Sequence, residues 1–133
     1  MDRRAGVILV HEQEVLLLKR IKAGEEYWVV PGGGVHEEEN TLEGAVRELW
    51  EEIELTLEPE QLILFAEFEN RGRKETYYIT QIDKREFTIS GEEAERSSAD
   101  NVYIPTWVSI DKVTELDLRP AIIKEKIKRS EML

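Results

Sequence analysis

The stretch PGGGVHEEENTLEGAVRELWEEIEL, running from Pro31 to Leu55, decides how the rest of the chain is read. The three successive glycines after Pro31 fit no regular element and predict a loop. A helix should follow. Asn40 is a good N-cap, and Glu43 stands three residues on, as a capping box requires. Leu42, Ala45, Val46, Leu49, Trp50 and Ile53 then recur at the spacing of one helical face. Trp50 is expected to prolong that apolar face, and the helix should stop near Ile53 to Leu55.

The same helix carries acids. Glu48, Glu51 and Glu52 stand at i, i+3 and i+4, so their side chains are neighbours. At about 100° per residue they share one arc, expected to point away from Leu42, Val46, Leu49 and Ile53. Gly44 sits one turn before Glu48, where a missing side chain would leave room for an ion or a phosphate. Three neighbouring carboxylates make a hard-oxygen site suited to magnesium or manganese. His11 and His36 show no zinc-ligand spacing. A bare E-x-x-E-E pattern is more often a solvated helix face. The surroundings argue otherwise: from His36 to Glu60 there are ten glutamates and one base, Arg47. Such crowding is destabilising unless a cation relieves it.

Read as a whole, Gly33 to Leu55 resembles the Nudix box of the MutT-like hydrolases, G-x5-E-x7-R-E-U-x-E-E-x-G-U, with U a bulky aliphatic residue. Gly33 is followed at the required gaps by Glu39, Arg47-Glu48-Leu49, Glu51-Glu52 and Leu55. Glu54 alone departs, standing where the family has glycine. The resemblance implies an α/β/α sandwich with a mixed sheet and a box helix. It also implies a metal-dependent pyrophosphohydrolase, in which water attacks one phosphorus of a diphosphate. Glu48, Glu51 and Glu52 would hold Mg2+ or Mn2+, together with the Gly33 backbone. Arg47 and Glu39 would form an orienting pair. Glycine after a helix usually serves a left-handed position, which costs another residue about 1 kcal/mol. Glu54 therefore either accepts that strain or lets the helix run on. It is also the one feature favouring an alternative, a Nudix-fold module that binds a nucleotide without cutting it.

Working outward, Ala5 to Val10, Val15 to Ile21 and Tyr27 to Val30 read as strands, with Glu12-Gln13-Glu14 turning between the first two. Leu62 to Glu69 and Glu75 to Ile82 flank the polar turn Asn70-Arg71-Gly72-Arg73. Phe87 to Ile89 reads as an edge strand and Glu92 to Asn101 as a loop. Tyr103 to Ser109 is a strand whose Pro105 suggests an edge. Leu118 to Arg129 reads as a C-terminal helix. Mixed strands and helices without βα alternation give an α+β class. The 133 residues are expected to form one domain.

Substrate phosphates need cations beyond the metal. Arg20, Arg71 and Arg73 are candidates, with Lys19 and Arg96 beside them. Tyr27, Trp28, Tyr77 and Tyr78 are candidates to stack on a base, and His36 to touch phosphate. Glu92, Glu93 and Glu95 are candidates for the general base in the later loop, and Glu93 also for substrate binding. The formal charge of −11 argues against a duplex nucleic-acid partner. It also makes RNA processing the weaker functional class. A small nucleotide derivative is the expected substrate: an ADP-ribose-like compound, nucleotide sugar, dinucleotide or nucleoside triphosphate. The chain has no cysteine, and no apolar run reaches spanning length. It is read as cytoplasmic, without a membrane partner, and as a possible homodimer.

Overall fold

In a computed structural model describing residues 2–90, 98, 101–130 and 133, one curled mixed sheet carries helices on both faces. Strands β1 (Arg3–His11) and β2 (Glu14–Lys22) form a hairpin turning at Glu12-Gln13. They pair only at its closed end, Val10 with Val15 and His11 with Glu14. Beyond that point they diverge. β2 takes β3 (Glu25–Val29) as its neighbour, while β1 takes β4 (Gly32–Gly34). The sheet is therefore split, and β4 lies along one side of the split.

The glycine run is thus a strand, contrary to its reading as a loop. Glycine is disfavoured in strands for want of a side chain, yet here closeness demands it. A Cβ on Gly32 would lie 2.2 Å from the carbonyl oxygen of Ala5. On the far side of β1, β6 (Arg73–Gln81) runs parallel to it and carries β5 (Ile63–Asn70) as its antiparallel partner. β7 (Asn101–Ser109) pairs with β2 along its whole length. Among the described residues β2 is its only partner strand, so Pro105 stands on an edge, as expected.

Two apolar layers follow from the alternation in β1. Ala5, Val7 and Leu9 pack with Ala45, Leu49 and Ile53 of helix α1 (Thr41–Ile53). Ile8 and Val10 face the other way, with Ile123 and Ile127 of the C-terminal helix. The three layers make the α/β/α sandwich expected. A one-turn helix, α2 (Ile110–Val113), went unread in the sequence. The C-terminal helix is shorter than read. Leu118–Arg119 forms β8, pairing with Trp28 and Val29, and α3 (Ala121–Arg129) starts only after Pro120. A residue preceding proline is steered away from helical backbone, and buried Leu118 is drawn into the core. Phe87 to Ile89 is not a strand; Phe87 and Ile89 pack against the layer under α1. Among the described residues no helix is long and apolar enough to cross a membrane.

Helix α1 begins as its capping box demands: Asn40 accepts from the Glu43 amide, and Glu43 accepts from the Asn40 amide, both at 2.8 Å. It ends at Glu54, which adopts φ 56°, ψ 32° and donates its N–H to the carbonyls of Leu49 and Trp50. Glu54 therefore accepts the left-handed cap, and the helix does not run on. Trp50, read as packing, is 54% exposed. It lies about 100° round the helix from Leu49, beyond the face that Ala45, Leu49 and Ile53 bury. Replacing Glu54 with glycine removes the left-handed penalty but adds freedom to the unfolded chain. The net expected gain is about 0.5 kcal/mol in urea unfolding. A loss of stability would contradict the assigned cap.

Candidate active site

The split between β1 and β2 opens a cleft of about 1380 Å³. On one side stand β4 and the acidic flank of α1. Around it, drawn from six different segments, stand Arg4, Arg20, Arg47, Arg71, Arg73 and Arg119.

The acids grade in burial with their angle on the helix. Glu52 lies about 60° from Leu49, Glu48 about 100° and Glu51 about 160°. Glu52 is 3% exposed, whereas the Glu48 and Glu51 side chains are 15% and 46% exposed. The acidic arc thus borders the apolar stripe rather than opposing it, and Glu52 belongs to the buried face. Burying a carboxylate is costly unless it is bonded. The Gly32 amide donates to Glu52 Oε1 at 3.0 Å. Gly33 makes room for Glu48: a Cβ there would lie 2.4 Å from the Glu48 carboxyl carbon. Gly44 leaves no ion site, contrary to expectation. A Cβ on it would meet Val35 at 3.0 Å, so its role is close packing of helix on strand.

Arg47 organises the group. Its Nε donates to Glu39 Oε2 at 2.9 Å, and its Nη2 to Glu39 Oε1 at 2.7 Å and to the Gly34 carbonyl at 2.8 Å. Its Nη1 donates to Glu51 Oε1 at 2.9 Å and Glu48 Oε1 at 3.1 Å. One guanidinium therefore spans three carboxylates and β4. Hydrogen bonding from Arg47 holds the Glu39 carboxyl down at about 2, and the bond from Glu39 raises Arg47 above its usual range.

A second charged group lies at the β6 end of the cleft. Glu75 is fully buried. It accepts from Tyr77 Oη at 2.5 Å, Asn70 Nδ2 at 2.9 Å and Arg73 Nη2 at 3.3 Å. Burial pushes its carboxyl up, but Tyr77, Asn70, Arg4 and Arg73 outweigh that and leave it lowered. Burial would also lower Arg4, which Tyr77, Glu52 and Glu75 overcome. Burial pushes the Tyr77 hydroxyl up to about 12, so it stays a neutral donor. Across β8, β3, β2 and β7 runs an alternating row of guanidinium and ring. Arg119 lies 4.3 Å from the Tyr27 ring centre, and Arg20 lies 5.5 Å from that ring and 4.1 Å from Tyr103.

The model of the NUDIX domain family matches residues 1–129. The chain belongs to the Nudix family. An RNA pyrophosphohydrolase of Psychrobacter sp. is 39% identical over 56% of this chain and 42% of its own length. The matched segment thus spans less than half of that relative. An RNA pyrophosphohydrolase of Pelagibacter ubique is 28% identical over 92% of this chain and 87% of its own. A MutT Nudix hydrolase of Burkholderia pseudomallei superposes with a TM-score of 0.69 at 22% identity, covering 94% of this chain and 96% of that one. The last likeness is one of fold.

Gly33, Arg47, Glu48, Glu51 and Glu52 are thus brought to one cleft, with Glu39 held behind Arg47. Arg20, Tyr27, His36, Arg71 and Arg73 also line it. Lys19 does not: it pairs with Glu26 and lies over Trp28. Tyr77 and Tyr78 are buried in opposite core layers and offer no ring for stacking. Glu92, Glu93, Glu95 and Arg96 lie outside the described residues. Sequence reading missed Arg4, Asn70, Glu75, Tyr103 and Arg119. For Glu75 there was a signal. It stands two residues before Tyr77 on one strand, so both face the same side.

The Glu39–Arg47 bond makes stability pH-dependent. A carboxyl held near 2 stabilises the fold above its ordinary value of about 4.5. That contribution fades as pH falls from there through about 2. Glu39→Gln should therefore lose less unfolding free energy than the natural chain between pH 5 and pH 2.5, measured by urea titration. Equal losses would show that the pair does not carry that dependence.

Proposed function

We propose that this chain is a metal-dependent pyrophosphohydrolase that cleaves the diphosphate linkage of a small nucleotide derivative by water attack at phosphorus. One observation carries the reading. Glu48 and Glu52 are gathered against the β4 backbone at the acidic end of a cleft otherwise edged by guanidinium groups. A diphosphate needs that division, since its oxygens require cations while its attacking water requires a base.

The donor set fits a hard divalent ion. Among the described residues no three acids or histidines form a ready-made cage. Mg2+ does not require one, because it keeps several waters and is held by one or two carboxylates plus substrate phosphate. Glu48 and Glu52 would be the principal ligands. The Gly33 backbone would assist, and Glu51, the most exposed of the three, would complete the set. When bound, the ion neutralises phosphate oxygens and acidifies a water.

The chain's own groups supply the rest. Arg47 fixes Glu39, Glu48 and Glu51 relative to β4, so the carboxylates are oriented before substrate arrives. The Gly32 amide tethers one Glu52 carboxylate oxygen beside β4. A box carboxylate accepts the proton of the attacking water. Arg4, Arg20 and Arg119 face the departing and retained phosphates.

A non-cutting sensor was favoured only by Glu54. That residue accepts a left-handed cap, leaving the helix to end where a glycine would end it. The names of the two RNA pyrophosphohydrolase relatives favour a second substrate reading, an RNA. Against it stands the overall charge of −11, which repels a long polyanion. A panel of nucleoside diphosphate derivatives assayed with Mg2+ or Mn2+ should release phosphorylated products. Glu52→Gln should lower turnover by about 10²-fold or more, with the fold intact by circular dichroism. Full turnover in that variant would remove Glu52 from the chemistry.

A further inference from the structure

The acidic flank of the cleft accounts for the diphosphate and its metal, but not for the β6 side, which lies across β1 from β4. The β5–β6 hairpin turns there through Arg71 and Gly72, both left-handed, at φ 54° and 78°. Such a two-residue turn is rigid and matched to strand twist. It sets Asn70, Arg71 and Arg73 on the cleft rim. Beneath them the buried Glu75 carboxylate binds the side chains of both Asn70 and Arg73. A buried charge is tolerated only if well bonded, and this one braces two rim residues at once. Arg4, opposite Glu75 in the parallel β1–β6 register, adds a further cation. Arg73 bonds the Glu75 carboxylate, Arg4 is drawn to both Glu75 and Glu52, and Arg71 stands beside them on the rim. Among the described residues no carboxylate pairs with Arg71. In a chain with 29 acids and 18 bases, a corner of net positive charge points to an anion supplied from outside.

On the β2 side of the split, arginines cover the tyrosine rings. Tyr27 is flanked by Arg119 and Arg20, and Tyr103 by Arg20. These contacts occupy ring faces that would otherwise stack on a base. The cleft volume of about 1380 Å³ exceeds the roughly 300–1,000 Å³ typical of small-ligand pockets. There is room for a group beyond the diphosphate.

We propose that Asn70, Arg71 and Arg73, braced by buried Glu75, form a second anion subsite, so that preferred substrates carry a further phosphate remote from the linkage that is cut. Arg71 and Arg73 grip that phosphate. Glu75 is a positioning residue acting through Asn70 and Arg73. The subsite deepens the hydrolase reading and rests on it for the place of the scissile linkage.

Pairs of diphosphates differing by one outer phosphate test this directly: NADP+ against NAD+, and coenzyme A against its 3′-dephospho form. Binding is followed by calorimetry with chelator present, and turnover with Mg2+. The natural chain should favour the phosphorylated member of at least one pair about tenfold, equivalent to about 1.4 kcal/mol. In Arg71→Gln/Arg73→Gln the ratio should fall below about threefold. Because both ligands meet the same variant, the ratio is insensitive to partial loss of folded protein. Glu75→Gln, similar in shape but uncharged, should lower it too, and an unchanged ratio there would overturn the bracing role. A natural chain that turns over both members of each pair equally defeats the subsite and leaves the hydrolase reading standing. A phosphate-dependent ratio in binding, with no turnover of any compound, keeps the subsite and defeats the hydrolase reading.

Discussion

The site depends on the guanidinium of Arg47. Its donors reach Glu39, Glu48, Glu51 and the Gly34 carbonyl, tying the helix, the loop before it and the glycine strand into one unit. Between His36 and Glu60 it is the only base among ten glutamates. Without it the helix flank would be a set of mutually repelling carboxylates. With it they are held at fixed positions beside β4, partly neutralised, where a divalent ion would complete the neutralisation. A planar fork does this better than an ammonium, because its donors point in several fixed directions at once.

The split sheet gives that unit its place. β1 and β2 share only the closed end of their hairpin, so β4 is seated in the gap against β1. Gly32 and Gly33 let backbone and carboxylate approach where side chains would collide. The acidic end and the arginine-lined walls are then consequences of one topology, since strands from both halves of the sheet face the same cleft. The cost is carried in buried charge. Glu52 and Glu75 are taken from water and repaid by an amide in one case and by Tyr77, Asn70 and Arg73 in the other.

Much of this was legible in the sequence, and the limits have physical reasons. The capping box, helical periodicity and box spacing are local patterns, so α1 and its acids were readable, as was the left-handed choice open to Glu54. β4 was not, because a glycine triplet carries no strand signal, and only the closeness of Ala5 to Gly32 and of Glu48 to Gly33 explains it. Gly44 and Trp50 differ from expectation because a wheel gives angles, not neighbours: Val35 fills the space over Gly44, and more than half of Trp50 is exposed. The C-terminal helix was overextended for want of weight on Pro120. Arg4 and Glu75 look like surface charges until the parallel β1–β6 register sets them opposite each other. That pairing joins segments about seventy residues apart and leaves no local trace.

The central claim is that Glu48 and Glu52 hold a divalent ion beside the substrate's phosphorus. The most direct measurement is anomalous diffraction from crystals grown with Mn2+ and a slowly hydrolysed diphosphate analogue. The account predicts a manganese peak in contact with carboxylate oxygens of both residues and with a phosphate oxygen. A phosphate bound in the cleft with Arg47 still occupying Glu48 and Glu51, and manganese elsewhere or absent, would contradict it.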